Sequence, residues 1–253
     1  MYQILNYYWR LVATALSFTL FGIGGVIMPL VATPFIRLVA RTPEQQQRYA
    51  RVLIYRTFRL FIYTMRAMGV LTWSTSNLNA LKRQSLLVLA NHPTLLDVVF
   101  LVAHIPHADC IVKGKLTTNP AMKGFLKMTG FIANDHGPEL VDRAAQSINK
   151  GSALIIFPEG TRTRPGGNLN FQRGAANIAL AANAKVVPVV IRCEPITLSK
   201  CHRWYHIPKR AMHFSLTACD DYAMDTYLSI PRTLASRRLT QDLQHYFENE
   251  LQS

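Results

Sequence analysis

From Leu86 onward, short apolar runs alternate with segments of helical periodicity, and this alternation limits the possible folds more than any other feature of the chain. It predicts an α/β fold with a mixed, largely parallel sheet flanked by helices. The predicted strands are residues 86–90, 108–112, 130–133, 153–157, 186–192 and 212–218. The predicted helices are residues 96–103, 120–129, 138–150, 174–183 and 232–251.

An apolar segment without charged residues, 11–36, precedes the predicted sheet. Because roughly 20 apolar residues in a helix cross a bilayer core, it predicts an N-terminal hydrophobic helical membrane anchor. A buried core helix is the alternative. Glycines and prolines interrupt the segment, so a helix that enters and turns back within one leaflet also stays open (Gly22, Gly24, Gly25, Pro29 and Pro34). We therefore divide the chain into a membrane-anchoring helical region, 1–75, and an α/β domain, 76–253.

The chain is strongly basic, with 28 Lys and Arg against 14 Asp and Glu and a formal net charge of +14. Such an excess implies an anionic partner. Many of the arginines lie beside the apolar segment, which favours an anionic membrane surface over nucleic acid. Arg10 precedes that segment, whereas several arginines follow it: Arg37, Arg41, Arg48 and Arg51. This bias places the α/β domain on the cytoplasmic face of the inner (cytoplasmic) membrane.

Residues 48–66 have two contrasting faces when plotted with helical periodicity. One arc carries Arg48, Arg51, Arg56, Arg59 and Arg66, and the other carries Leu53, Ile54, Phe58, Leu60, Phe61 and Met65. The pattern predicts a basic amphipathic helix that lies on an anionic leaflet. A helix whose apolar face packs on the protein core fits the segment equally well.

The sequence N-H-P-T-L-L-D at residues 91–97 follows the first predicted strand. Pro93 disfavours helix at His92, so the imidazole is expected on a turn at the strand end, with Asp97 in the segment that follows. If Asp97 accepts a hydrogen bond from one ring nitrogen, the other nitrogen can take a proton from an alcohol. The pair therefore predicts a general base.

A second motif, F-P-E-G-T-R at residues 157–162, follows another predicted strand. It brings together a carboxylate, a tight turn, a hydroxyl and a guanidinium, which suit the binding of a hydroxylated, phosphate-bearing molecule (Glu159, Gly160, Thr161 and Arg162). Ligands of α/β sheets bind beyond the carboxyl ends of strands. Both motifs are therefore expected to face one crevice.

A metal site is the competing interpretation of the first motif, because His92, Asp97, His104 and His107 lie within one stretch. The sequence has no H-E-x-x-H motif, which weakens this alternative. It also lacks a G-x-S-x-G elbow, a G-x-G-x-x-G fingerprint and a phosphate loop, which excludes the common serine hydrolase, dinucleotide and nucleoside-triphosphate sites.

The two motifs, followed by V-V-P-V-V-I at residues 186–191, resemble the sequence blocks of the glycerolipid acyltransferase superfamily, which includes lysophosphatidic acid acyltransferases. The resemblance covers roughly residues 80–195. It implies transfer of an acyl group from a coenzyme A or acyl-carrier-protein thioester to a lysophospholipid-like alcohol, with no metal or tightly held cofactor. It also implies that His92 is the base, that Asp97 orients it, and that residues 159–162 bind the acceptor. Lys113 and Arg173 resemble further acceptor ligands.

One block departs from the family pattern. Asp135 and His136 stand where the family usually has an arginine that helps to hold the acceptor phosphate. Histidine is only partly protonated near neutral pH, so this position lacks a fixed positive charge. The departure leaves open a differently headed acceptor, such as an amino-acid lipid. It also leaves open a non-catalytic protein of the same fold that binds anionic lipid at the membrane surface.

Overall fold

The computed structural model describes residues 2–134 and 139–252. The helices are α1 (Tyr2–Val39), α2 (Pro43–Ala67), α3 (Asp97–His104), α4 (Pro120–Thr129), α5 (Glu139–Asn149), α6 (Arg173–Ala182), α7 (Asp225–Leu228) and α8 (Arg232–Gln252). The strands are β1 (Leu71–Ser76), β2 (Leu86–Ala90), β3 (Ala108–Lys113), β4 (Ile132–Asn134), β5 (Ala153–Ile156), β6 (Lys185–Glu194) and β7 (Met212–Ala218). Short 3-10 helices cover Leu78–Lys82 and Gly114–Thr118.

The described strands form one seven-stranded sheet in the order β1-β7-β6-β2-β5-β3-β4. Neighbours run parallel except β6 and β7, which are antiparallel. The predicted α/β fold with a mixed, largely parallel sheet is confirmed. In the central pair, Leu89 of β2 pairs with Ile156 of β5. The segments that follow these two strands therefore leave the sheet side by side, at the carboxyl ends of the strands, which we call the carboxyl edge.

Side chains of β2 alternate between two cores because successive residues of a strand point to opposite faces. Leu86, Val88 and Ala90 join a core with α1, α2, α3 and α4. Leu87 and Leu89 join a core with α5, α6 and α8. All five residues of β2 are buried, as expected for a parallel strand covered on both faces.

The six predicted strands are all present, with ends that shift by one or two residues. Strand β1 was not predicted; it pairs in parallel with β7 and is the outermost strand of the sheet. Its sequence, L-T-W-S-T-S, buries only Leu71 and therefore lacks the apolar run used to find the other strands. The boundary after residue 75 stays a prediction, and β1 lies across it.

Helix α1 is continuous through Pro29 and Pro34, so the apolar segment does not turn back on itself. One face packs on the protein: Pro29 is buried, and a β-carbon at Gly124 of α4 would lie only 3.0 Å from the β-carbon of Pro29. Gln3–Val39 is long and apolar enough to cross a membrane, and 17% of its most apolar window is buried. The alternative of a buried core helix is therefore wrong, because most of the apolar surface of α1 is uncovered.

Helix α2 begins with a capping box, in which the Thr42 side chain accepts from the Gln45 backbone and the Gln45 side chain accepts from the Thr42 backbone. Most of its apolar face, including Ile54 and Ile62, packs on the protein core, whereas Leu60 is 67% exposed. For the buried residues Ile54, Phe58 and Met65 the prediction of contact with a leaflet is wrong, and the alternative of packing on the core is confirmed. Once the sheet supplies an apolar surface, that face packs there and no longer has to be covered by lipid.

Arg51 lies on the predicted basic arc of α2 but binds a carboxylate of the protein, so the prediction that this arc faces an anionic leaflet is wrong for Arg51. Its Nη2 lies 2.8 Å from Oδ2 of Asp109, and the two side chains are only 11% and 2% exposed. Nε donates to the Thr129 carbonyl and Nη1 to Oγ of Ser152. Burial raises the pKa of Asp109, against the opposing effect of Arg51 and of hydrogen bonds from Ser147 and the Cys110 N–H. Arg51 thus ties α2 to the amino edge of the sheet.

Candidate functional site

His92 and Asp97 lie together at the carboxyl end of β2. Nδ1 of His92 is 2.7 Å from Oδ2 of Asp97. The His92 side chain is 16% exposed, whereas that of Asp97 is completely buried. Because a carboxylate accepts hydrogen bonds, Nδ1 carries the proton and Nε2 is left as the basic nitrogen. No hydrogen bond of the described residues involves Nε2 of His92.

Thr94 holds the Asp97 carboxylate in place. Its N–H donates to Oδ2 over 2.8 Å and its hydroxyl donates to Oδ1 over 2.5 Å. With His92, these donors give the buried carboxylate three hydrogen bonds, which compensate for its removal from water. The carboxylate is therefore fixed in position before any substrate arrives.

Glu159 connects the two motifs. Its Oε1 accepts from the backbone N–H of His92 at 3.3 Å and from the hydroxyl of Thr163 at 2.6 Å. The N–H of Thr163 donates in turn to the carbonyl of His92 over 2.8 Å. Burial raises the pKa of Glu159, and the bonds from Thr163 and His92 oppose that rise. The turns after β2 and β5 are therefore one hydrogen-bonded unit, as expected from the sequence.

A third segment, which follows β6, joins this unit at the carbonyl of Leu198. Leu95 donates its N–H to that carbonyl over 3.1 Å. Nη1 of Arg162 donates to the same carbonyl over 2.9 Å and to the carbonyl of Ser199 over 3.1 Å. The hydrogen bonds found among the described residues use only Nη1 of Arg162, so part of this half-buried guanidinium remains for a ligand.

Phe157 and Gly160 shape the second turn. The Phe157 ring stacks on the His92 imidazole with centroids 4.1 Å apart, so it covers one face of the imidazole and restricts its rotation. Gly160 has φ of +64° and donates its N–H to the Phe157 carbonyl over 2.9 Å. This left-handed conformation is one that glycine adopts without strain, so the turn needs glycine at this position.

The remaining predicted site residues are less closely tied to this unit. Thr161 is half-buried in the second turn. Lys113 is exposed at the end of β3, and Arg173 is exposed at the start of α6. No hydrogen bond or ion pair within residues 2–134 and 139–252 joins these three to His92 or Asp97. The predicted departure at Asp135 and His136 lies outside the described residues.

The residues of the metal alternative are separated by the fold. His104 bonds to the Phe100 carbonyl on α3, whereas His107 precedes β3 at the opposite edge of the sheet from His92. Among the described residues, no group of three or more His, Cys, Asp or Glu side chains is placed to hold a metal ion.

Four residues of the site have no predicted role: Thr94, Phe157, Thr163 and Leu198. Thr94 had a usable signal, because a threonine three residues before an acidic residue is a helix-start pattern in which the two side chains and backbones exchange hydrogen bonds. Phe157 begins the second motif, but local pattern does not predict its stacking on His92, and Thr163 and Leu198 lie outside both motifs. Their roles depend on which segments meet at the sheet edge, and strand order decides that.

Comparison with known proteins agrees with the architecture and the motifs. A family model described as Acyltransferase matches residues 74–192. A 1-acyl-sn-glycerol-3-phosphate acyltransferase of Helicobacter pylori is 34% identical over 112 residues, which are 42% of this chain and 47% of that protein. The protein of the same name from Saccharomyces cerevisiae is 28% identical over 195 residues, 73% of this chain and 60% of that protein. The predicted resemblance is confirmed.

A solved structure shows the same fold. The crystal structure of the 1-acyl-sn-glycerophosphate (LPA) acyltransferase PlsC from Thermotoga maritima covers 98% of this chain and 98% of its own, with a TM-score of 0.70 and 18% identity. At this identity the match concerns the fold alone. The chain spans about half of the length of the curated relatives that it matches, between 47% and 60% for three of them.

Proposed function

We propose that this chain, whose residues 74–192 carry a domain of the acyltransferase family, is a membrane-associated O-acyltransferase. It moves a fatty acyl group from an acyl-CoA or acyl-carrier-protein thioester to the hydroxyl of a lysophospholipid-like acceptor with an anionic headgroup. The single observation that carries the proposal is the 2.7 Å contact between His92 and a buried Asp97, on a turn bonded to the second motif.

The proposed reaction needs no enzyme nucleophile. Nε2 of His92 removes the proton of the acceptor hydroxyl as its oxygen attacks the thioester carbonyl. The tetrahedral intermediate then breaks its carbon–sulfur bond, and the leaving thiolate takes the proton from the imidazolium. Asp97 holds Nδ1–H and stabilises the positive charge on the ring while it carries both protons. Acceptor and donor together supply every atom of the product ester and thiol.

The second motif supports binding of an anionic acceptor. Arg162 presents a guanidinium beside the base, and a guanidinium can form paired hydrogen bonds to a phosphate or carboxylate. Nη1 of Arg162 donates to the carbonyls of Leu198 and Ser199, so the remaining N–H groups of the guanidinium are the ones proposed to contact the ligand. Lys113 and Arg173, both exposed, are proposed to contact the acceptor from farther out.

The proposal is tested with purified protein in detergent, a radiolabelled acyl-CoA or acyl-carrier-protein thioester, and a panel of lysolipids and amino-acid lipids. We expect thioester-dependent label in at least one acceptor with an anionic headgroup. The panel identifies the headgroup and the donor. Absence of transfer to every acceptor, with binding to anionic vesicles retained, would contradict catalysis and favour the non-catalytic lipid-binding alternative.

The packing of α1 supports a specific mode of membrane association. Arg10, near its start, is buried and donates from Nη1 to the Pro208 carbonyl over 2.9 Å. Pro29, in its second half, packs on Gly124. Both residues therefore contact the α/β domain, so α1 runs along that domain between them and does not point away from it. We propose that α1 lies along one leaflet with its uncovered apolar face in the lipid, on the cytoplasmic face of the inner membrane.

Charged substitutions on the uncovered face of α1 test this arrangement. Ile23 and Ile27 are 49% and 53% exposed on one face of α1. Ile23→Glu with Ile27→Glu is expected to lower partitioning into phosphatidylcholine–phosphatidylglycerol vesicles by at least about tenfold, since each side chain loses its apolar transfer energy. Vesicle flotation measures this partitioning. The matched control is Leu228→Glu with Leu234→Glu, at positions 48% and 54% exposed outside α1. Equal flotation of both variants would contradict the arrangement.

A further inference from the structure

A cavity of about 750 Å³ lies at the amino edge of the sheet, among the residues that precede β2, β3 and β5. Gln84, Pro106 and Ser152 line it there. The first turns of α2 and the end of α5 close its sides. The motifs at His92 and Glu159 follow the opposite ends of β2 and β5, about 17 Å away for a five-residue strand. The cavity is therefore separate from the proposed active site.

Positive charge dominates the wall of this cavity. Four lining cations have no ion-pair partner among the described residues. They come from α2, from the 3-10 helix before β2, from α5 and from the residue that follows α5: Arg48, Lys82, Arg143 and Lys150. Lys82 has a neutral hydrogen-bond partner, Asn79. Two carboxylates line the cavity. Asp109 pairs with Arg51, whereas Glu44 has no ion pair within the described residues. All four side chains are exposed, and because they stand on three sides of one cavity their positive potentials add within it.

The other charges of the cavity are already compensated. Arg51 pairs with Asp109 at its floor, and Arg83 makes two hydrogen bonds to Asp221 at 2.9 and 2.5 Å. Neutral donors complete the lining. Gln47 reaches into this region because Gly130, with φ of +69°, has no side chain, and a β-carbon there would lie 2.5 Å from Nε2 of Gln47. The cavity therefore combines unpaired cations with amide and hydroxyl donors.

We propose that this cavity is a second binding site, for a ligand with more than one phosphate or other anionic group. Guanidinium and ammonium groups with neutral donors are the usual phosphate ligands of proteins. The volume falls in the range of small-molecule sites and exceeds what one phosphate fills. The ligand would bridge α2, which packs beside the membrane helix α1, to α5 on the other layer. Its source is a soluble polyphosphate compound or a phosphorylated lipid headgroup.

In the first arm of the test, titration calorimetry measures the binding of sodium pyrophosphate to the full-length protein in neutral detergent, at matched ionic strength. The second arm is flotation with phosphatidylcholine vesicles with and without phosphatidic acid. The cavity variant is Arg143→Gln with Lys150→Gln. The control is Arg232→Gln with Arg237→Gln, two exposed arginines of α8. Thermal unfolding verifies that both variants are folded.

We expect the cavity variant to weaken binding by roughly 10- to 100-fold in one of the arms, with the control unchanged, because two charged hydrogen-bond donors are lost. Loss in the pyrophosphate arm identifies a soluble ligand, and loss in the vesicle arm alone identifies a lipid headgroup. Equal behaviour of the cavity variant and the control in both arms would overturn the proposal. Neither arm requires acyl transfer, so failure here is distinct from failure of the proposed function.

Discussion

His92→Ala is expected to lower kcat for acyl transfer by about 10²- to 10⁴-fold, the usual contribution of a positioned general base. The alcohol then has no group to take its proton as it attacks the thioester. Asp97→Asn is expected to lower kcat as well, because an amide can present its NH₂ group to Nδ1 and so force the ring proton onto Nε2. Initial rates at saturating donor and acceptor measure both effects.

The matched control for this experiment is His245→Ala. His245 is an exposed histidine of α8, so it tests the same substitution outside the site. Its kcat is expected to equal that of the unchanged protein. Vesicle flotation of all variants separates loss of chemistry from loss of membrane binding. Transfer by His92→Ala at the unchanged rate would refute the assigned role of the imidazole, whatever the acceptor proves to be.

Arg51→Met is expected to lower the free energy of unfolding by about 3–5 kcal/mol, because it leaves the buried Asp109 carboxylate without its countercharge. The 2.8 Å ion pair is almost entirely removed from solvent. Arg51 also loses its bonds to Thr129 and Ser152. Chemical denaturation in detergent, followed by circular dichroism, measures the difference.

Arg56→Met is the control, since Arg56 is an exposed residue of the same helix. Surface substitutions of this kind usually change stability by no more than about 0.5 kcal/mol. The double variant Arg51→Met with Asp109→Leu is expected to recover much of the loss, because the buried unpaired charge is gone. If Arg51→Met unfolds at the same denaturant concentration as Arg56→Met, the ion pair does not stabilise the fold.

The stability loss in Arg51→Met should also depend on pH. In the unchanged protein burial already raises the pKa of Asp109, and Arg51 counteracts that rise. Without Arg51 the pKa of Asp109 lies higher still. A carboxyl whose pKa is raised by folding destabilises the fold where it is ionised, and that cost disappears as the pH falls and the carboxyl is protonated. The stability difference between Arg51→Met and the unchanged protein therefore narrows toward low pH.

Local pattern was enough to predict most of the sheet and the position of both motifs. Strand β2 is buried on both faces, so its continuous apolar run is visible in the sequence. The motifs follow β2 and β5, and parallel neighbouring strands end at the same edge. Strand β1 was missed because an edge strand that buries only Leu71 has little apolar pattern to detect.

Arg51 and Leu198 show where local pattern fails. Helical periodicity placed Arg51 on a polar arc, but periodicity does not identify Asp109, on another element, as its partner. Likewise, the motif predicts that Arg162 contacts the acceptor, but it does not predict that Nη1 of Arg162 donates to the two carbonyls after β6. These contacts depend on strand order and register, which local periodicity does not encode.

The sequence by itself determined the class of fold, the residues that carry the proposed chemistry and the apolar character of α1, because burial and turn chemistry are written in short-range patterns. Only the tertiary structure decided that the apolar face of α2 packs on the sheet, that three segments meet at the Leu198 carbonyl, and that unpaired cations surround a cavity at the amino edge. Each of these features depends on contacts between residues that are distant in the chain. Such contacts form, and contribute to stability, only once the sheet has brought those residues together.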